Sequence, residues 1–357
     1  MITLSTMIVL AALLAVPLAW LVPGPRGIDA VAVLAAMVLA WVSPLGAAWI
    51  AGFSILLPPA MRWAERHGGR GWLAAVAVGL ALAVFASAQL SHGIAWVGGA
   101  FFTLRLIHVI AEWWMEKIPA PGIAAHLRYQ LFLPALFVGP VHRLPAFERQ
   151  CARRRWDWPQ FLSGAERVLL GAVSAELIGN VLIQHGRANI DAALQQVSPF
   201  LLDWVLSAFD WIALYFTFAG MSAIALGIAA MMGIVLEENF NKPWRARDLL
   251  DFWSRWHISL TNWCRDYVYR PIMALTRNTA IGLVAAMLAI GLWHEISAYY
   301  VLWSVWQSLG VVLSRTVLPR LTVPVSPHLR AVLAPVAILG WLALARPVIT
   351  LLFKAVQ

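Results

Sequence analysis

Apolar runs of about the length needed to cross a bilayer recur from one end of this chain to the other, and they leave few folds open to it. A spanning helix needs roughly 20 mostly apolar residues. Lipid satisfies no backbone polar group, so each crossing must close its own hydrogen bonds. Such runs lie near residues 5–23, 28–60 (long enough for two), 72–91, 94–111, 165–184, 205–236, 280–293, 296–314 and 330–353. The chain is 61% hydrophobic and only 12% charged, against about 45–50% apolar residues in a soluble domain. The fold expected is all-α: a polytopic integral membrane protein with about ten transmembrane helices, accompanied by interfacial and re-entrant helices. No linker-like break, internal repeat or low-complexity tract interrupts it, so residues 1–357 read as a single domain. The first run carries no positive charge ahead of it and reads as a permanent span rather than a cleaved signal peptide.

The net charge of +9 sits in short connections between the apolar runs. Its clusters are Arg62, Arg66 and Arg70, then Arg143, Arg149, Arg153, Arg154 and Arg155, then Lys242, Arg245, Arg247, Arg255, Arg265 and Arg270. The positive-inside bias assigns all three to the cytoplasmic side, with the N-terminus outside. This topological explanation leaves no basic face for nucleic acid. Cys151 and Cys264 stand far apart, and no CxxC, HExxH, GxGxxG or Walker-type loop occurs, so no metal site and no bound cofactor are expected.

One segment combines charge with tryptophan: DFWSRWHISLTNWCRDYVYR, Asp251 to Arg270. Leu249, Trp253, Trp256, Leu260, Trp263 and Tyr267 recur at spacings of four and three, which predicts one stripe of an amphipathic helix. Asp248, Asp251, Arg255, Asn262, Arg265 and Asp266 occupy its other faces. The segment should lie in the interface or line a polar cavity, with Pro243 near its start and Pro271 near its end. His257 falls at the edge of the stripe, where it either reaches a polar interior or anchors an interfacial helix by hydrogen bonding.

His294 stands in other company. No charge occurs between Ile281 and Trp293; His294 and Glu295 then arrive together before the apolar sequence resumes. An ionisable group at such a place must be partnered or face water, which makes it a functional candidate. A structural histidine at a helix end is the other reading. Arg105 and His108, three residues apart on one helix face, either line a tunnel or serve the core, and the core reading is preferred. His142, in the turn GPVHR, marks a re-entrant or interfacial loop. His67, His92, His126, His185 and His328 fall in predicted loops or helix ends and receive no role.

Four stretches resemble the membrane-bound O-acyltransferase family, in its bacterial branch of alginate O-acetylation and teichoic acid D-alanylation. They are FLPALFVGPVHRLPAF (Phe132 to Phe147), YFTFAGMSAIALGI with GIVLEENFNKPW (Tyr215 to Trp244), DFWSRWHISLTNWCRDYVY (Asp251 to Tyr269) and GLWHEISAYYVLW (Gly291 to Trp303). The resemblance implies helices around a central tunnel and transfer of an acyl group from a thioester donor to a hydroxyl. It implies His294 as the catalytic histidine and His257 as the second histidine of the bacterial branch. Arg255, Asn239 and Asn241 match family positions, and Glu295 replaces a glycine, which bears on acceptor access. Thr217, Met221 and Ala223 stand where the alginate-type pattern carries acidic and aromatic residues, and RPIMAL replaces its PLGG.

An alcohol becomes a good nucleophile when its proton is removed, and imidazole titrates in the range for that task. The expectation is therefore a multi-pass enzyme of the inner (cytoplasmic) membrane that carries acyl groups, acetyl favoured, to a cell-envelope polysaccharide or glycopolymer. His294 serves as general base. His257, Arg255, Asn239, Asn241 and Glu295 are the further site residues. Its partners are an acetyl-CoA or acyl carrier protein co-substrate, the acceptor polymer, membrane lipid and a periplasmic acyltransferase. D-alanyl or longer acyl transfer is the alternative within this chemistry; a transporter with a histidine-lined path, or a scaffold, is the alternative outside it.

Overall fold

The computed structural model describes residues 4–91, 98–136, 138–194, 196, 198–317 and 326–356, so His92 and part of the run expected at 94–111 lie outside the described residues. The described chain is helical, with no named strand, and divides into two compact units. Six described helices have the length and apolarity to cross a membrane, and two shorter apolar ones, Ala12–Leu21 and Thr279–His294, accompany them. The expected ten are not reached on this measure. Two of the expected runs form helices that carry buried polar side chains. The helix Gly99–Trp114 buries Arg105 and His108, and Ala298–Thr316 buries Ser304, Gln307 and Ser308.

The first unit holds α1 (Leu4–Leu21), α2 (Pro25–Val42), α3 (Pro44–His67), α4 (Arg70–Leu90), α5 (Gly99–Trp114), α6 (Ile123–Gln130) and α7 (Leu144–Arg153). Proline opens α2 and α3, where a missing N–H costs nothing. Arg128 on α6 clamps the unit, with both Glu148 oxygens at 2.7 and 2.8 Å and Asp29 Oδ1 at 2.8 Å. Arg105 and His108 turn into this unit's interior. Arg105 Nη1 donates to the Tyr129 carbonyl at 3.4 Å, and His108 Nε2 accepts from the Leu144 N–H at 3.2 Å. His142 is buried among Tyr129, Phe132 and Phe147, with ring centroids 4.8 to 5.9 Å away.

From α8 (Trp158–Ala172) the chain widens into π-type turns over Val173–Ile183 and then α9 (Gln184–Ala193). The 33-residue α10 (Pro199–Met231) follows, roughly 50 Å long at 1.5 Å per residue. The second unit is completed by α11 (Leu249–Arg255), α12 (Ile258–Cys264), α13 (Arg270–Thr276), α14 (Thr279–His294), α15 (Ala298–Thr316) and α16 (Pro327–Val356). α15 is its hub. Gly310 lets α15 approach Leu249 of α11 and Trp341 of α16, and Trp306 stacks on Trp341 with centroids 4.4 Å apart.

The amphipathic helix expected from Leu249 to Tyr267 is two helices broken at Trp256–His257. The apolar stripe stays buried across the break. Asp248, not Pro243, caps the start, its Oδ1 accepting from the Asp251 N–H at 2.8 Å. Pro271 does not end the segment: the π-type turns of Arg265–Tyr269 lead directly into α13 and the helix runs on through the proline.

Candidate active site

His257 owes its position to the broken helix. Its backbone is left-handed, with φ 45° and ψ 53°, a region costly for most side chains outside glycine. The surrounding chain holds it there. Residues 239–241 run antiparallel to residues 255–258: Asn241 N–H donates to the Arg255 carbonyl at 3.0 Å, and Ile258 N–H donates to the Asn239 carbonyl at 2.9 Å. Ser259 Oγ donates to Asn239 Oδ1 at 2.6 Å in a fully buried contact. Arg255 is fixed by Asp251 at 2.7 Å and reaches the Asn241 carbonyl at 3.3 Å. Asn239, Asn241 and Arg255 therefore stand behind His257 and hold its backbone, and they are not among the residues that face the cavity.

The imidazole of His257 is 4% exposed and packs edge-on against Phe218 at 4.8 Å. This connecting residue lies outside the candidate spans. Burial lowers its pKa to about 3, and the neighbouring His294 adds to the lowering.

His294 ends α14. Glu295 turns to an extended conformation and caps the helix with its N–H on the Gly291 carbonyl at 3.0 Å. Ser297 then caps α15, its Oγ accepting from the Tyr300 N–H at 3.4 Å. The chain thus reverses within three residues. Gly291 lets α14 press against α15 at Tyr300 and Ser304. Tyr300 stacks on the His294 ring at 5.7 Å with planes 19° apart, and Trp303 meets it edge-on at 6.3 Å. Trp293 stands 5.7 Å from the His257 ring and 4.8 Å from that of His294.

Both histidines line one cavity of about 390 Å³. His294 keeps accessible surface on it, whereas His257 is nearly covered. Trp211, Phe218, Trp253 and Trp256 form an aromatic wall on one side. Ser207, Asp210, Tyr299 and Arg346 form a polar end that the motifs did not single out. Its signal was in the sequence all the same: two aspartates seven apart, Asp203 and Asp210, and a lone arginine, Arg346, inside runs otherwise apolar. Glu295 follows His294 in the chain, is exposed, and is not among the lining residues. A second cavity, about 550 Å³ and chiefly apolar, shares Trp211, Trp256 and Leu342 with the first.

A polytopic helical membrane protein with two histidines on one interior cavity is the class that this architecture defines. The chain belongs to the membrane-bound O-acyltransferase family, whose sequence profile matches residues 115–353. It is similar to the probable alginate O-acetylase AlgI of Pseudomonas aeruginosa, 32% identical over 231 residues that cover 63% of this chain and 44% of that protein. It is also similar to the teichoic acid D-alanyltransferase of Streptococcus thermophilus, 30% identical over 239 residues that cover 61% of this chain and 56% of that protein. The chain spans about half the length of these curated relatives.

Proposed function

We propose that the protein is a membrane O-acyltransferase that moves an acyl group, acetyl by preference, from a cytoplasmic thioester to a hydroxyl of a cell-envelope polysaccharide or glycopolymer. The observation that carries this reading is the shared cavity of His257 and His294. Two imidazoles with different surroundings on one cavity suit two different tasks. His294, with accessible surface, takes the hydroxyl proton as the alcohol oxygen attacks the thioester carbonyl. The C–S bond breaks, the acyl group stays on the alcohol oxygen, and the proton passes from His294 to the departing thiolate. General-base help of this kind is worth roughly 10²–10⁴-fold.

His257, kept neutral by burial, has a ring N–H with which to orient the thioester carbonyl and polarise it. Asn239, Asn241 and Arg255 serve the donor through the backbone they hold, and Glu295 shapes the acceptor's approach to His294. The chain directions fit two-sided access. α14 begins just after Arg270 and Arg277 and ends at His294, so the histidine lies at the end away from this basic stretch. The positive-inside bias makes the basic side cytoplasmic, which suits an anionic donor such as acetyl-CoA or a loaded carrier protein. Location in the cytoplasmic membrane belongs to the same reading, with a periplasmic acyltransferase as a partner rather than a required carrier of the acyl group.

The purified protein in lipid nanodiscs, given radiolabelled acetyl-CoA or carrier protein loaded with acetyl or D-alanine, tests it. Label should reach the polymer hydroxyls from an acetyl donor. Label from D-alanyl carrier alone would replace the acetyl preference, and transfer to no acceptor from any donor would refute the reading. The apolar second cavity favours one alternative within the same chemistry, transfer of a longer acyl chain; a fatty acyl thioester outcompeting acetyl-CoA would select it.

A further inference from the structure

The polar end of the histidine cavity is built from charges with an unusual division of labour. Arg346 Nε donates to Asp203 Oδ1 at 2.7 Å, its Nη2 to the Asp203 carbonyl at 3.0 Å, and its Nη1 to Asp210 Oδ2 at 2.5 Å. Arg187 Nε donates to Asp210 Oδ1 at 2.7 Å. Only Asp210 and Arg346 line the cavity, while Asp203 and Arg187 grip them from outside it. Asp203 and Asp210 lie two turns apart on α10 and so share a face. All four groups fall within candidate membrane spans, where charge is costly and is retained for function.

We propose that Asp210 and Arg346, with Tyr299 beside them, form the acceptor subsite, and that it takes a neutral, hydroxyl-rich sugar rather than one bearing a carboxylate or phosphate. The inference rests on the acyl-transfer reading above and deepens it. Recognition of a carboxylate or phosphate by arginine uses two parallel N–H groups of its fork. Here Nε and both Nη atoms are each already committed to an aspartate, so an incoming anion would have to share the guanidinium with the charges of Asp203 and Asp210. The two aspartates and two arginines also cancel in formal charge, so the subsite offers an anion no net attraction.

What remains suits an alcohol. Each carboxylate oxygen of Asp210 has one arginine donor and retains acceptor capacity, and Arg346 retains two N–H donors. A hydroxyl is both donor and acceptor and satisfies such a pair from one sugar. Tyr299 adds a hydroxyl, and Tyr300 and Trp303 add flat faces for the apolar side of a pyranose. The subsite also lies on the acceptor's route. Asp203 and Asp210 are in the first half of α10, and Arg346 is 19 residues beyond the start of α16, so these charges lie toward the same helix ends as His294.

The test combines binding and turnover on the full chain in nanodiscs. Calorimetry compares a neutral gluco-oligosaccharide, a uronic-acid oligosaccharide and a glycerol-phosphate oligomer, and acyl transfer to each is followed with labelled acetyl-CoA. The neutral sugar should bind best. Asp210→Asn and Arg346→Lys should raise its KM roughly ten-fold, the loss expected for one or two hydrogen bonds to charged groups, with the donor KM unchanged. Tyr299→Phe, which deletes a single hydroxyl and spares the ion cluster, should raise the acceptor KM by a smaller factor. Preference for either anionic oligomer overturns the proposal. So does intact transfer with variants that lower thermal stability or kcat but leave the acceptor KM alone, because the cluster would then only stitch α10 to α16. Neutral-sugar binding lost in the variants, with no transfer by the wild type, upholds the subsite and removes the acyl-transfer reading instead.

Discussion

Replacing Gly291 by alanine probes how closely the catalytic geometry depends on one helix contact. A Cβ there would overlap the Ser304 hydroxyl and stand 2.8 Å from the Tyr300 carbonyl oxygen, where ordinary contact begins near 3.4 Å. The serine hydroxyl can rotate away, but the carbonyl belongs to the α15 backbone. The helices must therefore separate by about 0.6 Å one turn before His294. A displacement of about 1 Å at a reacting group costs on the order of 10²-fold, so Gly291→Ala should lower kcat on the order of ten-fold. Its effect should fall on kcat and not on donor binding, since His257 and the backbone behind it are held by residues 239–241. Single-turnover transfer from labelled acetyl-CoA separates the two. Ser304→Ala in the same chain relieves only the hydroxyl overlap and should restore part of the rate. A Gly291→Ala enzyme with wild-type kcat would refute the argument that α14 packing sets the aim of His294.

Other substitutions test the support of His257. His257→Asn and His257→Val both remove the imidazole, but only asparagine tolerates the left-handed backbone readily. Val should melt lower than Asn by about 1–2 kcal/mol of stability, measured by thermal unfolding in detergent. Asn239→Ala removes the side-chain acceptor of the buried Ser259 hydroxyl and should cost about 1–3 kcal/mol, with kcat falling more than either KM changes. Acid should destabilise the fold through His257: between pH about 6.5 and about 3 the unfolded chain binds a proton that the folded protein does not. Stability then drops by about 1.4 kcal/mol per pH unit as pH falls through that window, and the His257→Asn curve should lack this slope.

The helical class was legible because it rests on local pattern, and the same pattern sets apart the two histidines that the fold brings to one cavity. An uninterrupted apolar run has one structural solution in lipid, and a histidine beside such a run stands out against it. The break at Trp256–His257 was not legible. Periodicity from Leu249 to Tyr267 continues smoothly through it, since a stripe buried on both sides of a kink keeps its spacing while the backbone leaves the helix. What breaks the helix is pairing with residues 239–241, a contact between segments that no local pattern reports. The polar residues within α5 and α15 follow a related rule: packing against protein accommodates side chains that lipid would reject. Arg187, Asp203, Asp210 and Arg346 were visible as isolated charges, but their convergence depends on three helices, α9, α10 and α16, meeting.

The central claim is that His294 removes a proton from the acceptor hydroxyl inside the cavity it shares with His257. His294→Gln keeps a side chain of similar reach and hydrogen-bonding capacity but abolishes the base, so it tests that claim most directly. Acyl transfer by the purified variant should fall roughly 10²–10⁴-fold, while calorimetry shows acceptor binding unchanged. A variant that transfers at the wild-type rate, with binding intact, would contradict the account.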